Sequence, residues 1–326
     1  MTDLPTSKVA RPAPAGFRRH VPEDADTCMV KATDGWPLRT IRWTPPLGTP
    51  RGSILFLGGR GDHFEKYLES FEDWRLAGWQ VESLDWRGQG GSGRLAHDPC
   101  VGHVHDFGQW IDDLARHYAD WQARTPAPHV VIAHSMGGHL ALRTLAEGRI
   151  APDAAVLVAP MLGFTAPYPN WLGLLVARAM TKIGDPERGA WSVSEKPGSP
   201  LRLRQKLLTH DDSRYDDELW WKSQRPDLAL GPASWRWVEQ AYASFIGLAK
   251  SGQIEAIVTP VLILAASKDA LVSASAIRKT ARRLTKGTLH IYGQEAAHEL
   301  LREADNVRDD ALARITSFLD QVAPRR

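Results

Sequence analysis

Residues 129–138 read His-Val-Val-Ile-Ala-His-Ser-Met-Gly-Gly, and the rest of the chain is organised around this stretch. The apolar run before Ser135 is typical of a buried strand, and the residues after it begin a helical pattern. A strand, a sharp turn and a helix in this order hold a serine in strained backbone and lift its hydroxyl clear of the sheet. The positions two before and two after the serine must be small, and Ala133 and Gly137 satisfy that condition. We therefore predict that Ser135 is a nucleophile.

The composition is that of an ordinary globular protein. The chain has 326 residues, of which 43% are hydrophobic and 24% are charged, and these values predict a sizeable core. The formal net charge of +2 gives no broad electrostatic footprint, so nucleic acid is not an expected partner. Cys28 and Cys100 lack metal-like or redox-like spacing and indicate a reducing compartment or inert thiols.

The chain ends and apolar stretches bear on location. Residues 1–20 are rich in Pro, Ala and Arg and lack the apolar segment of a secretory signal. The best apolar stretch, Trp171 to Met180, is too short to span a bilayer and contains Arg178. We expect a cytoplasmic protein, with peripheral contact at the inner membrane left open. The sequence indicates no particular oligomeric state.

Strand-like and helix-like segments alternate along most of the chain. A hairpin, Cys28–Ala32 with Trp36–Trp43, comes first. The predicted strands that follow are Ser53–Leu57, Gln80–Leu84, His129–Ala133, Ala154–Ala159, Val261–Ala266 and Thr288–Tyr292. The predicted helices are Phe64–Ala77, Phe107–Arg124, Met136–Glu147, Ser273–Leu284 and Val307–Val322, the second with a capping box of Asp106 and Gln109. This alternation predicts an α/β protein whose mostly parallel sheet is covered by helices on both faces.

The alternation breaks once and so suggests the domain organisation. Residues 161–257 carry helical patterns, several tryptophans and no convincing strand, which predicts a helical lid above the carboxyl ends of the strands. Residues 27–160 and 258–326 then form the core. Residues 1–26 are predicted to be a disordered tail.

A serine nucleophile needs a base, and the base needs a carboxylate to orient it. In open parallel sheets these groups lie at the carboxyl ends of strands. Asp269 follows the next-to-last predicted strand and His298 follows the last one, so they are the predicted acid and base. Asp85, which also follows a strand, is the rival acid. His290 is the rival base, but it lies inside a strand, where packing is the more common role.

Acyl transfer also needs two N–H donors for the developing oxyanion. The backbone N–H of Met136, directly after the nucleophile, is the first candidate. The second should come from the loop Gly58-Gly59-Arg60-Gly61-Asp62-His63, whose glycines let the backbone approach a ligand closely. We choose the N–H of Arg60. The alternative is that this loop is a plain flexible turn.

Two further motifs indicate other chemistry, and neither is well supported. Residues 88–93 match the G-x-G-x-x-G pattern of dinucleotide sites, but no helix pattern starts there and Pro99 argues against one. A glycine turn in which Asp85 and Arg87 hold loops together is the better interpretation. His103-Val104-His105-Asp106 resembles part of a metal site, but no further ligand set accompanies it, so solvated loop histidines are favoured.

Taken together, these motifs resemble the monoglyceride lipase and lysophospholipase branch of the α/β hydrolases, over nearly the whole chain from about Cys28. The sequence segments that carry the resemblance are residues 58–63 with Tyr67, Asp85-Trp86-Arg87-Gly88-Gln89-Gly90-Gly91-Ser92, His134-Ser135-Met136-Gly137-Gly138, Lys268-Asp269-Ala270-Leu271-Val272 and Ala297-His298-Glu299-Leu300-Leu301. Residues 208–211 with 214–215, and residues 228–232 with Trp235, resemble bacterial lysophospholipases more than monoglyceride lipases. Two departures are Ala133, where the family usually has Gly, and Gly58-Gly59, where it usually has His-Gly.

The resemblance implies an α/β-hydrolase fold and a serine hydrolase that cleaves lipid-like carboxylic esters, either lysophospholipid or monoacylglycerol. It implies Ser135, Asp269 and His298 as the triad and Arg60 and Met136 as oxyanion donors. No cofactor and no metal are expected, and the partner is a small-molecule lipid or ester substrate. A small-ester or lactone carboxylesterase is the alternative, and a catalytically idle ligand-binding protein of the same fold is a weaker one.

Overall fold

An eight-stranded sheet forms the centre of the protein in the computed structural model, which describes residues 15–46, 48–191, 203–250 and 252–324. The strands are β1 (Asp26–Lys31), β2 (Pro37–Trp43), β3 (Gly52–Leu57), β4 (Trp79–Leu84), β5 (His129–His134), β6 (Ala154–Val158), β7 (Val261–Ala266) and β8 (Gly287–Tyr292). Their spatial order is β1-β2-β4-β3-β5-β6-β7-β8. The pairs β1–β2 and β2–β4 are antiparallel and the remaining pairs are parallel. The predicted mostly parallel sheet, with antiparallel strands at one edge, is confirmed.

The described residues form helices that cover both faces of this sheet and further helices between β6 and β7. They are α1 (Leu68–Leu76), α2 (Phe107–Arg124), α3 (Ser135–Ala146), α4 (Asn170–Lys182), α5 (Leu203–Leu208), α6 (Asp212–Gln224), α7 (Trp235–Leu248), α8 (Ala274–Ala281) and α9 (Asp305–Val322). Helices α2, α3 and α8 pack on one face, and α1 and α9 pack on the other. Among the described residues, no helix combines the length and apolar character needed to cross a bilayer.

Buried strand residues alternate between two apolar cores. In β3, Ile54 and Phe56 belong to the core beneath α1 and α9, whereas Leu55 and Leu57 belong to the core beneath α2 and α3. Successive side chains of a strand point to opposite faces, so a strand covered on both sides reads as a continuous apolar run. The apolar runs of the sequence were therefore a sound guide to these central strands.

Helices α4 to α7 lie between β6 and β7, where the sequence predicts a helical segment. The described part of this segment holds isolated bridges but no strand. Helix α4 packs closely on α7, because a Cβ at Gly173 would come within 2.3 Å of the Tyr242 ring. Residues 192–202 and 251 of the segment lie outside the described residues.

Local structure differs from the prediction at two helix starts. The predicted helix Phe64–Ala77 begins with a turn of 3-10 helix, Phe64–Tyr67, before α1, because Tyr67 leaves the helical conformation with φ −116° and ψ 9°. At α2, Asp106 caps the helix through the N–H of Gly108 at 2.7 Å. The Gln109 side-chain oxygen has no hydrogen-bond partner among the described residues, so the reciprocal half of the predicted capping box is absent there.

Residues 15–26, which fall in the predicted disordered tail, are ordered. Ala15–Arg19 form a turn of 3-10 helix, and the carbonyl oxygen of Arg18 accepts a hydrogen bond from the Trp221 indole N–H at 2.8 Å. Arg19 pairs with Asp217 of α6 at 2.6 Å. These contacts order the segment against α6, and they join residues about 200 positions apart, which no local pattern predicts. Residues 1–14 lie outside the described residues.

Candidate active site

Ser135 lies at the turn between β5 and α3 with φ at 51°, in the left-handed region that non-glycine residues rarely occupy. Gly137 explains why the turn needs a small residue. A Cβ there would lie 2.4 Å from the Gly58 carbonyl oxygen and 2.5 Å from that of Leu57. Ala133 is fully buried at the end of β5, so the methyl group is accommodated where the family usually has glycine. This backbone presents the serine hydroxyl at the carboxyl end of the sheet.

The structure brings Ser135, His298 and Asp269 together in one hydrogen-bonded chain. His298 Nε2 lies 2.8 Å from Ser135 Oγ, and His298 Nδ1 lies 2.7 Å from Asp269 Oδ2. The other Asp269 oxygen accepts the N–H groups of Leu271 and Val272 at 2.8 and 3.0 Å. These bonds hold the carboxylate towards the imidazole, which is the geometry that a base and its orienting acid require.

Charge reinforces this geometry. Burial opposes the charged form of His298, but the negative charge and hydrogen bond of Asp269 outweigh it, and the pKa of His298 is raised above its usual value. Burial also opposes ionisation of Asp269, yet His298 and the two backbone N–H groups hold the pKa of Asp269 below its usual value. Asp269 is therefore ionised at neutral pH.

The loop that carries Arg60 is held on both sides of that residue. The N–H of Gly59 donates to Asp62 Oδ2 at 2.7 Å, and the N–H of Gly61 donates to Gln89 Oε1 at 2.6 Å. Gln89 also reaches the sulfur of Met136, with its Nε2 at 3.8 Å from Sδ. The two predicted oxyanion donors therefore sit on backbone that shared side chains connect, rather than on a plain flexible turn.

Asp62 is a residue whose role the sequence patterns did not indicate. Its Oδ2 also accepts the Tyr67 hydroxyl at 2.8 Å and lies 3.1 Å from Nδ1 of His134, the neighbour of Ser135. Its Oδ1 pairs with the ammonium of Lys66 at 2.5 Å. Lys66 and His134 together hold the pKa of Asp62 well below its usual value, against burial. The buried Asp62 carboxylate thus joins residues 58–63, the predicted oxyanion loop, to the turn that carries Ser135.

Lys66 extends this network towards His298 and to α6. Its fully buried ammonium pairs with Glu299, the neighbour of His298, at 2.8 Å, and with Glu218 of α6 at 3.1 Å. Arg302 also pairs with both glutamates. The Asp62–Lys66 spacing of four residues and the Glu299–Arg302 spacing of three are the local signals for this cluster. Its remaining members meet only in the folded chain.

A cavity of about 610 Å³ opens above Ser135 and His298. Its wall is largely apolar and is built mainly from residues of the segment between β6 and β7. Among the lining residues are Phe164, Leu172, Val176, Trp191, Trp237 and Tyr242. The volume lies within the usual range of small-molecule sites, about 300–1,000 Å³.

Comparison with known proteins places these features in a family. The model of the Hydrolase_4 family, described as serine aminopeptidase, S33, matches residues 48–305. The chain belongs to this family. Lysophospholipase L2 of Escherichia coli strain K12 is 30% identical over 282 residues, covering 82% of this chain and 80% of the relative. The monoacylglycerol lipase of Mycolicibacterium smegmatis is 25% identical and covers 85% of this chain and 92% of its own.

Solved structures agree with this family at the level of the fold. A soluble variant of monoglyceride lipase from Saccharomyces cerevisiae, in complex with a substrate analogue, superposes with a TM-score of 0.75 at 18% identity, covering 95% of this chain and 99% of its own. The α/β-hydrolase fold is confirmed, as is the resemblance to the monoglyceride lipase and lysophospholipase branch. The chain is a carboxylic ester hydrolase of this family.

The rival acid, Asp85, has hydrogen-bond partners other than His298. The Asp85 carboxylate accepts hydrogen bonds from the Arg39 guanidinium at 2.7 Å and from the N–H of Gly91 at 2.8 Å, so it holds loops together as predicted. The G-x-G-x-x-G stretch forms turns, and no helix starts in it.

His103 was expected to be a solvated loop residue. That expectation is wrong, because its ring is buried and lies 2.8 Å from the Ser234 hydroxyl.

Proposed function

We propose that this hydrolase cleaves the carboxylic ester of a monoacyl lipid, a lysophospholipid or a monoacylglycerol, through an acyl-enzyme on Ser135. The observation that carries the proposal is the 2.8 Å contact between His298 Nε2 and Ser135 Oγ at the floor of a large apolar cavity. A nucleophile and base in hydrogen-bond reach provide the chemistry, and an apolar cavity suits an acyl chain. The names of the relatives support the same substrate class.

The proposed mechanism assigns each group one task. His298 takes the Ser135 proton as the oxygen attacks the ester carbonyl, and then gives it to the leaving alcohol. Asp269 stays ionised and stabilises the imidazolium. The backbone N–H groups of Met136 and Arg60 bind the oxyanion. Water, deprotonated by His298, then attacks the acyl-enzyme, and the fatty acid is released as His298 returns the proton to the leaving Ser135 oxygen.

Helices α4 to α7 act in this proposal as the lid that covers the acyl chain. The apolar wall of the cavity comes mainly from this segment, so its side chains set the length and shape of chain that fits. Helix α6 is tied to the core by the ion pairs of Glu218 with Lys66 and Arg302. Helix α4 contacts chiefly α7. Movement that admits substrate is therefore assigned to α4 rather than to α6.

We also propose that the outer face of α4 touches a lipid surface. Trp171 and Leu175, one turn apart, are 63% and 59% exposed, and Arg178 and Lys182 continue the same face. Val176 beside them is 49% exposed and also lines the cavity. An exposed apolar stripe with basic residues at its end suits an interfacial helix on an anionic membrane. Such contact would bring the cavity mouth to its substrate.

A serine-directed fluorophosphonate tests the nucleophile. The wild-type protein should be labelled, and the Ser135→Ala and His298→Ala variants should not. His290→Ala is the matched control, because that histidine lies in β8 and should not alter labelling. Equal labelling of Ser135→Ala and wild type would refute the proposed mechanism.

A substrate panel tests the lipid class. Lysophosphatidylcholine, monoacylglycerol and nitrophenyl esters of increasing chain length should be assayed side by side. The proposal expects kcat/KM to rise with acyl length and to be highest for the monoacyl lipids. A maximum at the shortest esters would instead identify a small-ester carboxylesterase.

Vesicle sedimentation tests the lipid surface. The double variant Trp171→Ser, Leu175→Ser should bind vesicles containing anionic phospholipid more weakly than wild type. Leu76→Ser is the control, since this side chain is 52% exposed on α1, outside the proposed face. Binding that is unchanged in the double variant would exclude α4 as the contact.

A further inference from the structure

Two histidines and a glutamate from distant parts of the chain meet at one point. His103 and His105 lie in the loop before α2, and Glu187 lies beyond α4, more than 80 residues later. One nitrogen of each histidine and one carboxylate oxygen all lie within 4.8 Å of one another. The sequence argued against a metal here because the histidines lacked a third ligand. The fold supplies one.

The distances suit a tetrahedral ion. His103 Nε2 lies 3.3 Å from His105 Nδ1. Two nitrogens bound to tetrahedral zinc at about 2.0–2.1 Å each are separated by about 3.3–3.4 Å. The nearest oxygen of Glu187 is 4.0 Å from His103 Nε2. Rotation of that side chain would bring its oxygen closer by the ~0.7 Å that the same geometry requires.

The buried histidine is already oriented for such a role. The His103 ring is 2% exposed, and its Nδ1 is bonded to the Ser234 hydroxyl at 2.8 Å. Ser234 caps α7 and accepts the N–H of Trp237 at 3.0 Å, so the hydroxyl is itself fixed. Metal-binding histidines usually have their second nitrogen held in this way, which directs the first nitrogen at the ion.

We propose that His103, His105 and Glu187 bind a divalent transition-metal ion of the zinc type. Two imidazoles and one carboxylate favour such an ion over Mg²⁺ or Ca²⁺, which prefer oxygen ligands. The Oε2 of Glu187 accepts the backbone N–H of His97 at 3.0 Å, which leaves Oε1 as the oxygen that faces His103. Water completes the coordination.

The ion would fasten the wall of the substrate cavity. Just after Glu187, Ala190 donates its N–H to the Ala233 carbonyl at 2.7 Å, and Gly189 bridges to Ser234. Ala190 itself lines the cavity above Ser135. An ion held by both the loop before α2 and Glu187 would therefore link this wall to the core. The site is structural and takes no part in ester cleavage.

Zinc binding to the untagged full chain tests the proposal. The exposed thiols Cys28 and Cys100 can bind zinc themselves, so all variants carry Cys28→Ser and Cys100→Ser. After treatment with a chelator, calorimetry and metal analysis should show one zinc ion per chain and no binding of Mg²⁺. His105→Ala and Glu187→Gln should each weaken zinc binding at least about tenfold.

A matched control and a second readout make the result decisive. His290→Ala removes a histidine of β8 and should bind zinc as the parent does. Zinc should raise the thermal midpoint of the parent, but should not do so for His105→Ala, because only a site in the folded state stabilises it. Absence of saturable binding, or equal binding by His105→Ala and Glu187→Gln, would overturn the proposal.

Discussion

Replacing Lys66 with methionine should destabilise the protein far more than loss of an ordinary ion pair. The ammonium is fully buried and contacts Asp62 at 2.5 Å, Glu299 at 2.8 Å and Glu218 at 3.1 Å. Methionine keeps an unbranched chain but takes this cation away from Asp62, whereas Glu299 and Glu218 keep their ion pairs with Arg302. Breaking a buried pair from one side costs about 3–5 kcal/mol, so we expect a loss of that size in the free energy of unfolding.

The pH dependence of this loss follows from the carboxylates. Lys66 helps to hold the pKa of Asp62 and that of Glu218 well below their usual values. A lowered folded-state pKa stabilises the protein above the unfolded pKa, and this stability is lost as pH falls. Without Lys66 these pKa values rise, and that contribution is already missing at neutral pH. The wild type loses the contribution only below about pH 5, so the difference between variant and wild type should narrow from about pH 5 to about pH 3.

Urea unfolding at both pH values measures the effect. Arg116→Met is the control, because Arg116 and Asp120 form an exposed pair at 3.0 Å, whose loss should cost less than about 1 kcal/mol. A second variant, Lys66→Met with Asp62→Asn, removes the carboxylate charge for which Lys66 is the one Lys or Arg partner among the described residues, and should recover part of the stability. The expected role of Lys66 is refuted if Lys66→Met lowers the free energy of unfolding no more than Arg116→Met does. It is also refuted if the loss does not shrink on acidification.

Three further predictions concern the site itself. The kcat/KM profile should fall on the acid side with a midpoint above about 6.5, because neutral His298 is the proposed base and its pKa is raised; Asp269→Asn should lower both the midpoint and kcat. Gly137→Ala should cost about 1–3 kcal/mol or more in urea unfolding and abolish fluorophosphonate labelling, since its Cβ would meet two backbone carbonyl oxygens within 2.5 Å. Gly247→Ala, with no atom within 4 Å of its Cβ, should be tolerated. Asp62→Asn should lower kcat by about tenfold or more in steady-state assays, because it weakens the hold on the oxyanion loop; an unchanged kcat would count against that role.

Local pattern was enough for the elements that bury apolar residues or need special backbone. The run 129–134 and the glycines after Ser135 predicted β5 and the turn because burial and tight backbone each restrict which residues fit. The same logic located Asp269 and His298 after β7 and β8, since parallel strands end at one edge of a sheet. Local pattern did not predict the break in the helix at Tyr67, where the backbone is not helical. The polar side chains of Lys66 and Glu69 are buried on either side of this break.

The sequence by itself determined the α/β class, the order of the strands along the chain, and the positions after β5, β7 and β8 of Ser135, Asp269 and His298, the proposed nucleophile, acid and base. These depend on residue types at short spacing, which local physical chemistry can read. Only the tertiary structure decided that Lys66 joins Asp62 to Glu218, and that Glu187 comes to lie beside His103. Such contacts depend on the spatial order of the strands in the sheet and on how the helices after β6 pack over it. Residues more than 80 positions apart then become neighbours, and charge or metal chemistry arises that neither segment reveals alone.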